Sequence, residues 1–479
     1  RSMSGSQPRH RVKGEALVRQ FFGRAFMLVP VIRSRTSALS LTLLLLANFS
    51  SGNIHSAMAA DEFEKPPISY SSIAADNCVS RLQQQLEAGS KVLNHDDQHG
   101  YLSSLLTALD VPVESQMLVF SKTSLQQRRI TPRTPRAIYF NENVYVGYCQ
   151  SGDVLELSAV DPMLGTVFYT MDQDATVKPQ LQRRNDNCLV CHSSSRTGGI
   201  PGHVVRSLYV DAGGQPLFSA GSRTVDHTTP IKERWGGWYV TGTHGEQSHV
   251  GNLIIRSNRV VEPVDNTEGQ NVTDLASRFK VERYMTPHSD IVALMVLEHQ
   301  TLVQNCITKA NFATRQAFHD QKAMNKVLEY PEDHQLDSTA RRITNSVKDL
   351  VEAVLFVDEA PLTSLISGTS GYTEMFSKSA VRDSTGRSLK DLDMNRRMFK
   401  YPCSYLIYSD AFDGLPQQTQ DEFWKQLWAV LSNDNQAQEF AHLAASDRLA
   451  IAEIIQQTKP NLPDYWNPPA AARATSVDQ

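Results

Sequence analysis

The chain has 479 residues, with 47 Lys and Arg against 51 Asp and Glu, a formal net charge of −4. At 41% hydrophobic and 20% charged residues it has the composition of an ordinary globular protein. It has neither the basic run of a nucleic-acid binder nor an acidic tail, and no stretch beyond residue 60 is long and apolar enough to span a bilayer.

Residues 1–60 read as an export signal with a preceding segment. Arg33 and Arg35 form a positive region, and residues 38–47 (ALSLTLLLLA) form an apolar core too short for a comfortable span. Ala57-Met58-Ala59 then places small residues where a signal peptidase cuts. Cleavage after Ala59 or Ala60 predicts an exported, periplasmic protein. About 420 residues then remain, ample for a large core or two domains.

Beyond Pro66 and Pro67, Val79, Leu82, Leu86 and Val92 keep a loose helical period and predict a helix over 80–93. A second short helix fits 101–109. Short β-like runs follow at 117–120, 137–140, 144–148, 154–157 and 166–170, with Asn141, Glu142 and Asn143 as a turn between two of them. Further strand-like runs are expected at 204–210, 216–218, 238–241 and 252–256. From about Val272 the pattern is helical. Ser289 is placed to cap a helix over 291–308, and others are predicted at 339–356, 417–431 and 447–458. The fold class is α+β: a β-rich middle between helical segments, with a mainly helical C-terminal part. In domain terms, 61–260 form a mixed domain and 261–479 a helical domain packed on it.

The β-rich middle contains Cys188-Leu189-Val190-Cys191-His192. Two thiols at this spacing can each add to a vinyl group of one haem, with His192 as the proximal iron ligand. The same five residues could instead be half a zinc site, a disulfide, or a thioredoxin-like pair. A structural zinc site needs a second ligand pair at short spacing, and Cys78, Cys149, Cys306 and Cys403 are single and far apart. A thioredoxin-like pair follows a buried strand, whereas residues 178–187 are polar. The expectation is one haem c per chain, held by Cys188 and Cys191. The other four cysteines are an even number in an oxidising compartment and are expected to be oxidised, in any of three pairings.

The motif and the segment after it, Ser193 to Gly202, resemble the haem-binding region of c-type cytochromes. The rest of the chain is similar to large bacterial proteins that carry a cytochrome c domain. In c-type cytochromes a proline carbonyl accepts a hydrogen bond from the free ring nitrogen of the proximal histidine, which by resemblance implies Pro201 as acceptor. Small carriers of that family are helical domains of roughly a hundred residues. Here the motif lies in a much larger mixed fold.

The sixth iron position separates electron transfer from ligand chemistry. Residues 234–249 hold two tryptophans, four glycines and two histidines, which makes His244 and His249 candidates for a distal ligand or for acid–base work. His299 shares a helix face with Met295, Leu302, Val303 and Cys306, and Met285 is the best-placed methionine. His203 is too close to the motif in sequence to cross easily to the other haem face. There is a single CxxCH, and no GxSxG, HExxH, phosphate loop or dinucleotide fingerprint accompanies it. The sequence thus predicts an exported monohaem electron-transfer protein that works with a redox partner protein, with a membrane respiratory complex as a candidate for association. The alternatives are a peroxidase- or oxidase-like haem enzyme with an open distal site, and a haem-based sensor or structural subunit.

Overall fold

A computed structural model describes residues 62–256, 260 and 263–467. The export-signal expectation lies outside the described residues. The architecture is α+β, as expected. Six strands form an antiparallel meander in chain order: β1 (Met117–Val119), β2 (Arg136–Phe140), β3 (Val144–Tyr148), β4 (Val154–Asp161), β5 (Gly165–Asp172) and β6 (Leu181–Arg183). The expected turn joins β2 to β3, where the Asn141 side-chain oxygen accepts from the N–H groups of Asn143 and Val144.

Helices α1 (Cys78–Glu87) and α2 (Leu102–Ala108) cover one face of this sheet. Asn77 caps α1, accepting from Val79 and Ser80 N–H at 3.1 Å each. Gly89, at φ +69, ends the helix before the expected residue 93, and Val92 is left exposed. On the covered face Leu155, Leu157 and Ala159 of β4 point inward, opposite Met171, Tyr169 and Val167 of β5. The other face presents Arg136, Tyr145, Gly147, Glu156, Ser158 and Phe168. Their strand register places these side by side.

Helix α3 (Asn187–His192) follows the edge strand β6 and carries the motif. Between α3 and the next long helix the chain is mostly loop. The run expected at 204–210 is reduced to β7 (Arg206–Ser207), paired with β8 (Arg223–Thr224). The other three expected strands make only isolated bridges. Most apolar residues of 238–241 and 252–256 are covered by loops that bond to other loops and to β1, while Phe218 is exposed. Phe120 and Ser121, for example, both donate to the Gly237 carbonyl. Alternation signals a buried face, but pairing needs a partner edge, and here the partner is irregular chain.

Helix α4 (Ile291–Val327) runs 37 residues, well past the expected end at 308, because residues 309–327 contain no Gly or Pro to stop it. Its cap is Asp290, accepting from Val292 and Ala293 N–H, not Ser289. Ser289 instead ties strand to loop, accepting from Leu118 N–H and donating to the Tyr239 carbonyl. Residues 291–301 of α4 are buried all round, as befits a central helix. Around it lie α5 (Asp337–Val354), α6 (Tyr372–Lys378), α7 (Asp410–Asp413), α8 (Gln417–Leu431) and α9 (Ala445–Thr458). One apolar cluster includes Met117, Phe140 and Tyr145 from the sheet side together with α4, α5 and α8, so it crosses the boundary expected near residue 260. No helix among the described residues is long and apolar enough to cross a membrane.

The disulfide expectation is corrected. None of Cys78, Cys149, Cys306 and Cys403 forms a disulfide. Burial is the main reason that the thiols of Cys78, Cys149 and Cys306 are pushed up to about 11, 12 and 12. These cysteines, like Cys403, are packed into the core, and an even count does not bring thiols together.

Candidate functional site

The motif occupies a helix of under two turns. Leu189 is buried and anchors it, while Val190 is 76% exposed and Cys191 faces solvent. Cys188 and Cys191, three apart, are therefore neighbours on one helix face. Burial, and then the charge of Asp186, push the Cys188 thiol up to about 11. It is a protonated thiol at neutral pH, without the depressed pKa of a thioredoxin-like nucleophile. Nor is the setting thioredoxin-like, because β6 belongs to an antiparallel meander.

His192 ends the helix. Its Nδ1 lies 2.9 Å from the Gly202 carbonyl, and Gly202 N–H donates back to the His192 carbonyl at 2.8 Å. A carbonyl can only accept, so Nδ1 carries the hydrogen and the lone pair is on Nε2. Nε2 has no hydrogen-bond partner among the described residues. The ring packs on Phe168 of β5 at 4.8 Å, and burial, the largest influence, holds the imidazole neutral. The acceptor implied by resemblance was Pro201. Its carbonyl turns the other way and accepts from Thr166 N–H at 3.1 Å, leaving the next carbonyl to face the ring.

Two further charged residues, not legible in the sequence as part of the site, act on the motif. Arg136 on β2 reaches across β3 to Glu156 on β4, with NH2 to Oε2 at 2.8 Å. The crossing needs Gly147, because a side chain at that position would occupy the space of the guanidinium. Both charges act on His192, and Glu156 also acts on Cys188. Gln126 donates to Glu156 at 3.1 Å, while the buried Nε of Arg136 has no partner among the described residues. The available signal was Glu156 inside the apolar run Val154-Leu155-Glu156-Leu157. The guanidinium of Arg206 lies 5.6 Å over the ring of Phe218, which is 58% exposed. Arg206 also feels Cys191 and Arg196.

The structure brings none of His244, His249, His299 or Met285 into a hydrogen bond, ring contact or electrostatic interaction with His192. His244 and His249 do meet, with ring centroids 4.7 Å apart. Asn271 N–H donates to Nε2 of His244 and Gly251 N–H to Nδ1 of His249, so the remaining nitrogen of each carries a hydrogen. Both nitrogens of His299 are engaged, by His227 Nδ1 at 2.9 Å and Ser404 Oγ at 2.8 Å. The sulfur of Met285 lies 3.7 Å from Ser103 Oγ. His203 is the histidine that lies near His192. Its nitrogens face Ser158 and Thr166, its ring packs on Tyr145, and burial followed by the neighbouring His192 holds it down to about 3.

A haem joined through two thioethers fits these residues. Two thiols share one helix face, the adjoining imidazole is fixed in the tautomer that leaves Nε2 free, and Val190 exposes apolar surface on the motif itself. Among the described residues no three His, Cys, Asp or Glu side chains gather as a metal-binding group. No protein-family model, curated protein or solved structure matches this chain.

The buried histidines set a pH dependence. Burial lowers His192, His203, His227, His244, His249 and His299, to about 4 for His227 and about 3 for His203 and His249. A depressed folded value means these six stabilise the fold fully above about pH 6.5, and that this stability is lost as pH falls toward 4. Glu298 and Glu359, raised by burial to about 7, act the opposite way between about pH 4.5 and 7, losing their contribution as pH rises. Six groups outweigh two. Urea unfolding is therefore expected to give a free energy that falls as pH drops from 6.5 to 4.5. A flat or rising profile would contradict the neutral-histidine assignment.

Proposed function

We propose that this chain is an exported monohaem c-type protein with an electron-transfer role. Cys188 and Cys191 hold the haem covalently and His192 is the proximal ligand. The observation that carries this reading is the His192 Nδ1 to Gly202 carbonyl bond at 2.9 Å, on the same short helix as the two thiols. A haem held there supplies one-electron iron chemistry. The residues of the chain orient the imidazole, keep it neutral, and raise its basicity through the carbonyl. The exposed Cys191 edge is the side open to a redox partner protein.

A second reading is favoured by one observation. The charged side chains that act on His192 are Arg136 and Glu156, and both ring nitrogens of His299 are engaged elsewhere. With the expected distal candidate His299 so engaged, a haem enzyme or sensor with an open distal side is the second reading.

Expression of the full chain in a cytochrome-c-maturing host separates these readings. Acid–acetone extraction is expected to leave the colour on the polypeptide. Colour that extracts, or zinc in its place, would defeat the proposal. A low-spin spectrum inert to carbon monoxide supports electron transfer, whereas a high-spin spectrum that binds carbon monoxide supports the second reading.

A further inference from the structure

The carbonyl that holds His192 is itself held by a residue of α4. Asn305 Oδ1 accepts from His203 N–H at 2.9 Å, and Asn305 Nδ2 donates to the His203 carbonyl at 2.8 Å. One side-chain amide thus pairs with both backbone groups of a single residue, as a neighbouring strand would. The Gly202 carbonyl and the His203 N–H belong to the same planar peptide unit. Fixing one end of that plane fixes the other, so Asn305 aims the oxygen that meets His192 Nδ1. The effect is also electronic. An N–H that donates polarises its own carbonyl, so the chain from Asn305 Oδ1 through peptide 202–203 to Nδ1 strengthens the bond at the histidine. Residue 202 is glycine where this matters, because a side chain there would run into Asn305 Oδ1.

We propose that Asn305 is a positioning residue for His192, setting its orientation and its strength as a donor to iron through the 202–203 peptide. The proposal rests on the haem reading above. Its position, 113 residues beyond the motif and on the central helix, ties the proximal ligand to the element around which the C-terminal helices pack. A stronger acceptor at Nδ1 makes the imidazole more basic, which favours ferric iron and lowers the reduction potential.

The test compares reduction potentials of the full-length protein, wild type, Asn305→Leu and Asn305→Asp, each checked for covalent haem by acid–acetone extraction. Leucine removes both bonds, and its potential is expected to rise above wild type. Aspartate keeps the acceptor for His203 N–H and adds negative charge, so its potential is expected to lie at or below wild type. A merely structural role would loosen the site in both variants and move both the same way. A leucine variant that retains haem at an unshifted potential, or two variants shifted in one direction, overturns the proposal while the haem reading stands. Colour extractable from the wild type overturns both.

Discussion

Replacing Cys188 and Cys191 together by alanine is expected to abolish haem retention altogether, while each single substitution leaves one thioether and a coloured polypeptide. The fold should survive, because alanine is the best helix former, Cys191 is exposed, and the helix is anchored by Leu189 instead. The pyridine haemochrome band of either single variant should move to longer wavelength, since one vinyl group remains unsaturated. A double variant that still holds colour through acid–acetone treatment would show that the cysteines are not the attachment points. Far-ultraviolet circular dichroism close to wild type in the double variant separates loss of haem from loss of fold.

The largest effect on stability is expected at the buried ion pair of Arg234 and Glu298, 2.9 Å apart and each no more than 1% exposed. Arg234 also donates to the carbonyls of Thr229 and His227, so one guanidinium ties the 227–235 loop to α4. The next residue, Trp235, is fully buried at φ +68, a conformation costly for a bulky side chain and tolerated only where its surroundings hold it. Above pH 7, where Glu298 is ionised, Glu298→Ala leaves a buried, unpaired cation and is expected to cost about 3–5 kcal/mol in denaturant unfolding. The pair Arg234→Met with Glu298→Leu removes both charges and should recover much of that loss, less what the two loop carbonyls forfeit. Single variants costing under about 1 kcal/mol would mean that water reaches the pair.

Legibility followed the range of the forces involved. Helix α8 was expected at 417–431 and occupies those residues, because its apolar period and its boundaries are encoded in adjacent positions. Strands β2 to β5 are likewise readable as short β-branched and aromatic runs between turn signals, although only β4 alternates regularly between buried and half-buried residues. The runs near 238–241 and 252–256 carry apolar signals of a similar kind and became loops, because the neighbouring chain offers no continuous edge to pair with. For α4, all-round burial and length came from its central place, which a local period does not encode.

The placing of two thiols and an imidazole on one short helix was determined by sequence alone, because residues 188–192 are adjacent in the chain and need no distant partner to share it. The surroundings of that chemistry were decided by tertiary structure. Gly202 rather than Pro201 faces His192 because β5 takes the Pro201 carbonyl and Asn305 of α4 takes the next peptide. Arg136 meets Glu156 only because strand register sets Gly147 between them. His299 has a helix-face pattern that reads equally as ligand or core, and His227 and Ser404, 72 and 105 residues away, engage both of its nitrogens. Contacts between residues so far apart depend on how the elements pack, and packing is a property of the whole folded chain.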